Sequence, residues 1–375
     1  MANVNILIKP ASGLCNLRCK YCFYQSVVEN REVESYGIMT EDTLEAIVKK
    51  GIEYSDTLCG FTFQGGEPTL TGIEFYEKLI ELQNKYNNKN IKIHNAIQTN
   101  GILIDEKWAK FFYENNFLVG LSLDGYKDVH NLNRIGIKGK ETFNDVMKTV
   151  ALFNKYNVEY NILYVVTSNT ARHANKIYDF FKANGFKYIQ FIPCLDPIGE
   201  EQGKQNYSLK SKDMENFLKI TFDRWYEDFI NDEYISIRYF DNLVSMIMGN
   251  RPESCSMIGQ CSCNLVIEAD GSVYPCDFYV LDKWNLGNIN NKEIEDIRNS
   301  KKANDFIKDS IPIAKECKLC KWQRLCRGGC RREREDYKNN NLGLNYYCLA
   351  YKNFFEYSYD RLVKIARTIE KNYMY

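Results

Sequence analysis

Short apolar runs and longer amphipathic segments alternate along the first two thirds of the chain. Residues 4–9 (VNILIK), 58–64, 91–98, 117–123, 160–167 and 188–192 are runs rich in Val, Ile, Leu and Phe, the signature of buried strands. Between and after them, residues 40–54, 72–86, 105–114, 142–156, 171–184 and 212–230 carry apolar positions at helical spacing. In the first of these helices Thr40 is placed to cap the N-terminus, acids follow, and Leu44, Ile47 and Val48 share a face. Alternation of this kind predicts an α/β fold with a parallel sheet and helices outside it. Six strand–helix units are too few to close an eightfold barrel, so a partial (β/α)6 barrel of the TIM type, open on one side, is expected.

Near residue 234 the alternation stops and cysteines become dense. Residues 265–268 and 272–274 read as a hairpin turning at Asp270-Gly271, and residues 344–363 return to a helical pattern that packs back on the core. The expected division is a barrel over 1–233, a cysteine-rich domain over 234–348 and a terminal helix over 349–375.

Charge narrows the function classes. Lysine plus arginine and aspartate plus glutamate both number 49 in 375 residues, so no electrostatic case exists for nucleic acid or an anionic membrane as partner. No apolar run approaches the ~20 residues a membrane helix needs. The N-terminus lacks the charged and apolar regions of a secretory signal, which points to the cytoplasm. In that reducing setting, 14 cysteines are metal ligands or catalytic groups rather than a disulfide framework.

The carboxyl ends of the strands are where such folds place their chemistry. After the first strand stand Cys15, Cys19 and Cys22, at spacing C-x3-C-x2-C, and the next cysteine is Cys59. Three thiolates leave one position of a cubane open to a ligand that is not protein, the logic of a catalytic metal site. A zinc knuckle is compatible with the same spacing. After the second strand comes Gln64-Gly65-Gly66-Glu67-Pro68, where paired glycines let a ligand approach the backbone closely. The third strand ends at Gln98-Thr99-Asn100-Gly101 and the fourth at Ser122-Leu123-Asp124-Gly125.

With Tyr21 between its last two cysteines, the first motif resembles that of the radical S-adenosylmethionine (SAM) enzymes. The resemblance implies a SAM-binding [4Fe-4S] cluster on Cys15, Cys19 and Cys22. It also implies SAM contacts from Tyr21, Gly66, Ser122, Arg134 and Leu195. The second half is similar to the SPASM domain: Cys261, nine residues, Gly271, four residues, Cys276, then Cys317, Cys320, Cys326 and Cys330 at C-x2-C-x5-C-x3-C, and a last Cys348. By the family's pairing, one auxiliary [4Fe-4S] cluster takes Cys255, Cys261, Cys276 and Cys330. The other takes Cys317, Cys320, Cys326 and Cys348. Two structural zinc sites are the alternative for these eight thiols. Cys263 is left as a bystander, Cys59 as a small core residue, and Cys194 at a strand end without an assigned role.

The stretches around Cys22-Phe23-Tyr24, Cys276-Asp277 and Asn345-Tyr346-Tyr347-Cys348 resemble more narrowly the anaerobic sulfatase-maturating enzymes. That resemblance covers essentially the whole chain. It implies oxidation of one active-site Cys or Ser of a sulfatase to Cα-formylglycine by a 5′-deoxyadenosyl radical. Asp277 is then the general base, and Tyr24, Gln64 and Gln98 are candidate substrate contacts because they border the SAM loops. The implied partners are an unfolded or nascent sulfatase peptide with a C/S-x-P/A-x-R sequon and a flavodoxin- or ferredoxin-like electron donor. Two other readings stay open. One is a SPASM enzyme that forms thioether or carbon–carbon crosslinks, against which stands a first strand that begins at about residue 4. The other is a zinc or electron-carrier protein without catalysis.

Overall fold

In the computed structural model, which describes residues 2–336 and 341–373, the strands in chain order are β1 (Val4–Ile8), β2 (Leu58–Phe63), β3 (Lys92–Thr99), β4 (Phe117–Ser122), β5 (Tyr160–Val166), β6 (Tyr188–Pro193), β7 (Ser236–Ile237), β8 (Val266–Ile267), β9 (Ser272–Tyr274) and β10 (Gly287–Asn288). The helices between them are α1 (Phe23–Glu29), α2 (Glu41–Tyr54), α3 (Ile73–Tyr86), α4 (Glu106–Glu114), α5 (Lys127–Asn133), α6 (Phe143–Tyr156), α7 (Ser168–Ala171), α8 (Ala174–Ala183), α9 (Ser211–Ile230) and α10 (Arg238–Ile247). This is the α/β order of a partial barrel, with every expected strand present within a residue or two.

Local chemistry explains the helix boundaries. The Thr40 hydroxyl accepts the Thr43 amide at 3.3 Å, Glu41 and Asp42 occupy the first turn, and Leu44, Ile47, Val48 and Ile52 are buried. Asp105 caps α4 in the same way through the Trp108 amide at 3.0 Å. The helix expected over 171–184 starts three residues late, because Ala171 belongs to a separate turn of helix. Thr167 and Thr170 form a reciprocal capping box that opens the short helix α7, which ends at Ala171, and α8 starts afresh at Ala174. The expected helix over 344–363 starts at Cys348 and runs to Tyr373.

The chain forms two compact units, each discontinuous in sequence. The first contains the residues up to Leu123, His130–Asn161 and Ser262–Ile307. In it β1 pairs in parallel with β2, β2 with β3, and β3 with β4. On its other side β1 pairs in parallel with β8, Leu7 opposite Val266 and Ile8 opposite Ile267. The expected hairpin of the cysteine-rich half, β8 and β9 in antiparallel register, thus continues the sheet that β1 begins. Its turn uses Gly271 at φ 88°, as the Asp-Gly pair suggested. Ile6, Phe61, Phe63, Val119 and Leu121 of the strands are buried with Leu44, Leu79 and Phe112 of the helices. Tyr76 sits edge-on to Phe63 and Trp108, with ring centroids 5.1 and 5.3 Å away.

The second unit contains Asp124–Val129, Ile162–Cys261 and the residues from Lys308 onward. Here β5, β6 and β7 pair in parallel. The short strand β7 and helix α10 carry the alternation one step beyond where the sequence pattern stops, because two residues are too few to show a period. Phe222 of α9, Phe240 of α10 and Phe354 of the C-terminal helix Cys348–Tyr373 interlock, with ring centroids 5.4 to 5.9 Å apart. Among the described residues no helix is long and apolar enough to cross a membrane.

Within the first unit, His130 is fully buried and its Nε2 lies 3.1 Å from Thr142 Oγ1, which in turn donates to the Arg134 carbonyl at 2.6 Å. Burial, and secondarily the Arg134 charge, hold the imidazole down to about 3 from its ordinary 6.5. It is therefore neutral in the fold and protonated in the unfolded chain below pH 6.5. The unfolded state binds the extra proton, so this contribution to stability is complete above pH 6.5 and is lost as pH falls toward 3. Urea unfolding at pH 7, 6 and 5 is expected to show stability dropping by up to about 1.4 kcal/mol per pH unit below 6.5 from this group. His130→Gln is expected to flatten that component of the profile.

Candidate active site

The three-cysteine loop follows β1 and is pinned by backbone bonds. Arg18 N donates to Ile135 O at 2.7 Å and Lys20 N to Asn133 O at 3.0 Å. The same 133–136 segment carries Arg134, whose buried guanidinium lies 5.5 Å from the Tyr21 ring centroid. Cys15 Sγ accepts the Leu17 amide at 3.4 Å, and Asn100 Nδ2 reaches Asn16 Oδ1 at 2.7 Å and Cys15 Sγ at 4.0 Å. Burial pushes the Cys15 thiol up to about 11, with the Leu17 amide acting in the opposite direction.

The glycine loop packs directly on this one. Gly65 and Gly66 hold φ of 115° and 55°, open to glycine above all. A Cβ on Gly66 would meet Leu14 O at 2.1 Å and Ser12 O at 2.8 Å. Glu67 turns inward. Its buried carboxylate accepts from Thr69 N at 3.1 Å, Thr99 Oγ1 at 2.7 Å and Asn100 N at 2.8 Å, while burial raises its pKa. Ser122, at the end of β4, is buried in the same unit. Leu195 belongs to the second unit, just beyond β6, next to the buried thiol of Cys194.

Beside the glycine loop lies a set of charges. Asp277 begins a short turn immediately after Cys276. It forms an ion pair with the fully buried Lys9 through Oδ1, and its Oδ2 accepts from Gln64 Nε2 at 2.7 Å. Lys9 Nζ sits 3.9 Å from the Tyr24 ring centroid. The Tyr24 hydroxyl donates to Glu268, which also pairs with Arg31 at 2.8 Å. Gln64 and Tyr24 thus belong to one polar cluster with Asp277. Gln98 stands half-buried in β3, one residue short of its end. Sequence reasoning passed over Lys9, Arg31, Glu268 and Asn100. The one available signal was a lysine closing an apolar strand whose carboxyl end faces the chemistry.

Of the eight cysteines expected to hold auxiliary clusters, Cys255, Cys261, Cys317, Cys320, Cys326, Cys330 and Cys348 lie in the second unit. Cys317, Cys320, Cys326 and Cys348 line one cavity, with Trp322 and Phe355. Cys255 and Cys261 lie within electrostatic reach of Cys330, whose thiol is raised chiefly by burial. Cys276 belongs to the first unit. Among the described residues no three His, Cys, Asp or Glu side chains converge on a point that a single metal ion could fill.

Comparison with known proteins places this geometry. Residues 10–181 match the model of the radical SAM superfamily, and residues 255–321 match that of the SPASM iron-sulfur cluster-binding domain. A cysteine-type anaerobic sulfatase-maturating enzyme of Clostridium perfringens is 57% identical over 99% of this chain and 100% of its own length. The chain belongs to the anaerobic sulfatase-maturating enzymes. Another cysteine-type member, from Clostridium novyi, is 50% identical over 98% of this chain and 99% of its own. The solved structure of native anSMEcpe with bound AdoMet and Cp18Cys peptide superposes with a TM-score of 0.94 at 56% identity, covering 98% of this chain and 99% of that one. Membership makes this a radical SAM enzyme with iron–sulfur clusters, on the partial-barrel fold expected.

The chain's own geometry fits such cofactors. Four cysteines line one cavity in the second unit, and the glycine loop seats against the cysteine loop so closely that a Cβ on Gly66 would strike the Leu14 carbonyl. Gly66→Ala is expected to push the loop off the Leu14 carbonyl and lower SAM cleavage by about 100-fold. Anaerobic assay of 5′-deoxyadenosine checks this, with iron content measured alongside to show that the clusters remain.

Proposed function

We propose that this enzyme oxidises a cysteine in a sulfatase peptide to Cα-formylglycine, with Asp277 as the general base. The observation that carries the reading is the placement of Asp277. It is a carboxylate one residue from a cluster cysteine, held at the end of β1 beside the glycine loop by Lys9 and Gln64. Cysteine is favoured over serine because the relatives from Clostridium perfringens and Clostridium novyi, at 50% to 57% identity, are cysteine-type enzymes.

In this reading Cys15, Cys19 and Cys22 hold the cluster that binds SAM, and Tyr21, Gly66, Ser122, Arg134 and Leu195 hold SAM itself. Cys255, Cys261, Cys276 and Cys330 hold one auxiliary cluster, and Cys317, Cys320, Cys326 and Cys348 the other. When bound, these groups supply a 5′-deoxyadenosyl radical and a one-electron acceptor. Asp277 takes the side-chain proton of the target while its Cβ loses a hydrogen atom. The thioaldehyde so formed is hydrolysed by water, releasing sulfide and leaving the aldehyde. Gln64 and Gln98 flank the target, and Tyr24 supports the site through its ring. The barrel is taken as residues 1–233, the SPASM domain as 234–348 and the terminal helix as 349–375. A flavodoxin- or ferredoxin-like protein supplies the reducing electron, the substrate is an unfolded or nascent sulfatase with a C-x-P-x-R type sequon, and the reaction is cytoplasmic.

The test uses anaerobically reconstituted enzyme, SAM, a reductant and paired sequon peptides with Cys or Ser at the target. Mass spectrometry is expected to find aldehyde from the Cys peptide at the higher rate. Asp277→Asn is expected to lower aldehyde formation by about 100-fold or more, the scale of a lost general base. Brisk SAM cleavage without aldehyde from either peptide would sink the assignment.

A further inference from the structure

We propose that Lys9 is a positioning residue for the reaction's base. Its buried ammonium holds Oδ1 of Asp277, so that Oδ2, bonded by Gln64 when the site is at rest, is the oxygen that takes the substrate proton. This rests on the reading of Asp277 as base.

The surroundings of Lys9 leave its ammonium one direction to act in. Its side chain is fully buried, and its ion pair is with Asp277, itself only 13% exposed. The nearby Glu268 carboxylate is already engaged by Arg31 and the Tyr24 hydroxyl. The Tyr24 ring covers one side of the ammonium at 3.9 Å. Gly65 closes another side, where a Cβ would come within 2.8 Å of Nζ and 2.7 Å of Cγ. The backbone fixes the base of the side chain, because Lys9 N donates to Ile267 O at 2.8 Å. A buried ion pair is a poor device for stability. Apolar residues of like volume in its place are often neutral or stabilising, whereas removing one partner strands the other. Keeping a lysine here is therefore explained by what its charge does to Asp277.

The division of labour between the two oxygens follows. Oδ1 cannot turn toward a substrate without leaving a desolvated ammonium unpaired. Oδ2 is held by a neutral amide, which an incoming thiol can replace as donor at little cost. The thiol then gives its proton to Oδ2, its Cβ hydrogen atom to the adenosyl radical and one electron to an oxidised iron–sulfur centre. One C–H and one S–H bond break and the second C–S bond forms. Lys9 keeps its own proton throughout.

The experiment measures aldehyde formed per 5′-deoxyadenosine for the full reconstituted chain with the Cys sequon peptide. It is run on Lys9→Met, Lys9→Arg, Asp277→Asn and the double variant Lys9→Met/Asp277→Asn, with iron content and holoenzyme melting recorded for each. Lys9→Met is expected to lower the ratio by about 10-fold or more, since a misplaced base forfeits much of its effect. Lys9→Arg, which restores a cation, is expected to recover part of the loss. The double variant, free of any stranded charge, is expected to melt above Lys9→Met and to show a ratio no lower than Asp277→Asn. A native ratio in iron-replete Lys9→Met, with a collapsed ratio in Asp277→Asn, would overturn the proposal and leave the base assignment standing. A native ratio in Asp277→Asn would remove the base assignment and the proposal with it. If Lys9→Met does not fold, neutral Lys9→Gln is read by the same ratio, and a double variant melting no higher than Lys9→Gln counts against the pairing.

Discussion

A charged pair in a buried place, Lys9 with Asp277, sets terms that the rest of the first unit has to meet. Neither charge can be left alone in so dry a setting, so the elements carrying them must arrive in one register. The pairing of β1 with β8 supplies that register. Ile8 stands opposite Ile267, and Lys9 and Glu268 follow at the next positions, each into its own ion pair. A slip of one residue would exchange buried and exposed faces and strand both charges at once. The two pairs share Tyr24, whose ring meets Lys9 and whose hydroxyl meets Glu268. They therefore form one network, and such networks specify a unique arrangement only when every member is satisfied.

The neighbouring glycine loop meets its own demand by a different route. It needs a backbone turned through positive φ and close contact with the cysteine loop. Gly65 and Gly66 provide the first through left-handed conformations. Glu67 provides the second, its amide bonded to Leu14 O at 2.8 Å and its carboxylate gathering Thr69, Thr99 and Asn100. Asn100 then reaches Asn16, so the end of β3 is tied to the loop after β1 through a carboxylate from the loop after β2. Three strand ends are thus fixed relative to one another through side chains, Glu67, Thr99 and Asn100 being buried. This is the preorganisation that positional chemistry requires.

How much of this could be read from the chain depends on the range of each interaction. Strands β2 and β4 were legible because both are continuous apolar runs, and α2 and α4 because Thr40 and Asp105 cap within three residues of themselves. The cysteine sets were legible from spacing joined to a family resemblance. Strand β7 was not, being two residues long. Arg31 and Glu268 were not, because a pair 237 positions apart leaves no local trace. Lys9 was passed over for a similar reason: as the polar end of an apolar strand it reads as a surface residue until β8 arrives beside it. Glu67 was read as part of a ligand loop, whereas its carboxylate faces inward and organises that loop.

A raised thiol pKa alone does not tell the cysteines apart. Burial pushes Cys15 up to about 11 and Cys59 up to about 12, nearly the same degree. By that measure both are inert core thiols. Their surroundings differ in what could follow the loss of a proton. Cys15 has the Leu17 amide on its sulfur, Asn100 within reach and two further cysteines on the same loop. Cys59 is packed beside Gly51 in the core, with Ser55 as the polar group acting on its thiol. A metal centre can replace the proton at the first site because donors already point at the thiolate and other ligands stand nearby. At the second it cannot. A thiol held high by burial but surrounded by donors is one whose deprotonation waits for a cation. Exposure points the same way, since Cys15 is half-buried and Cys59 fully buried.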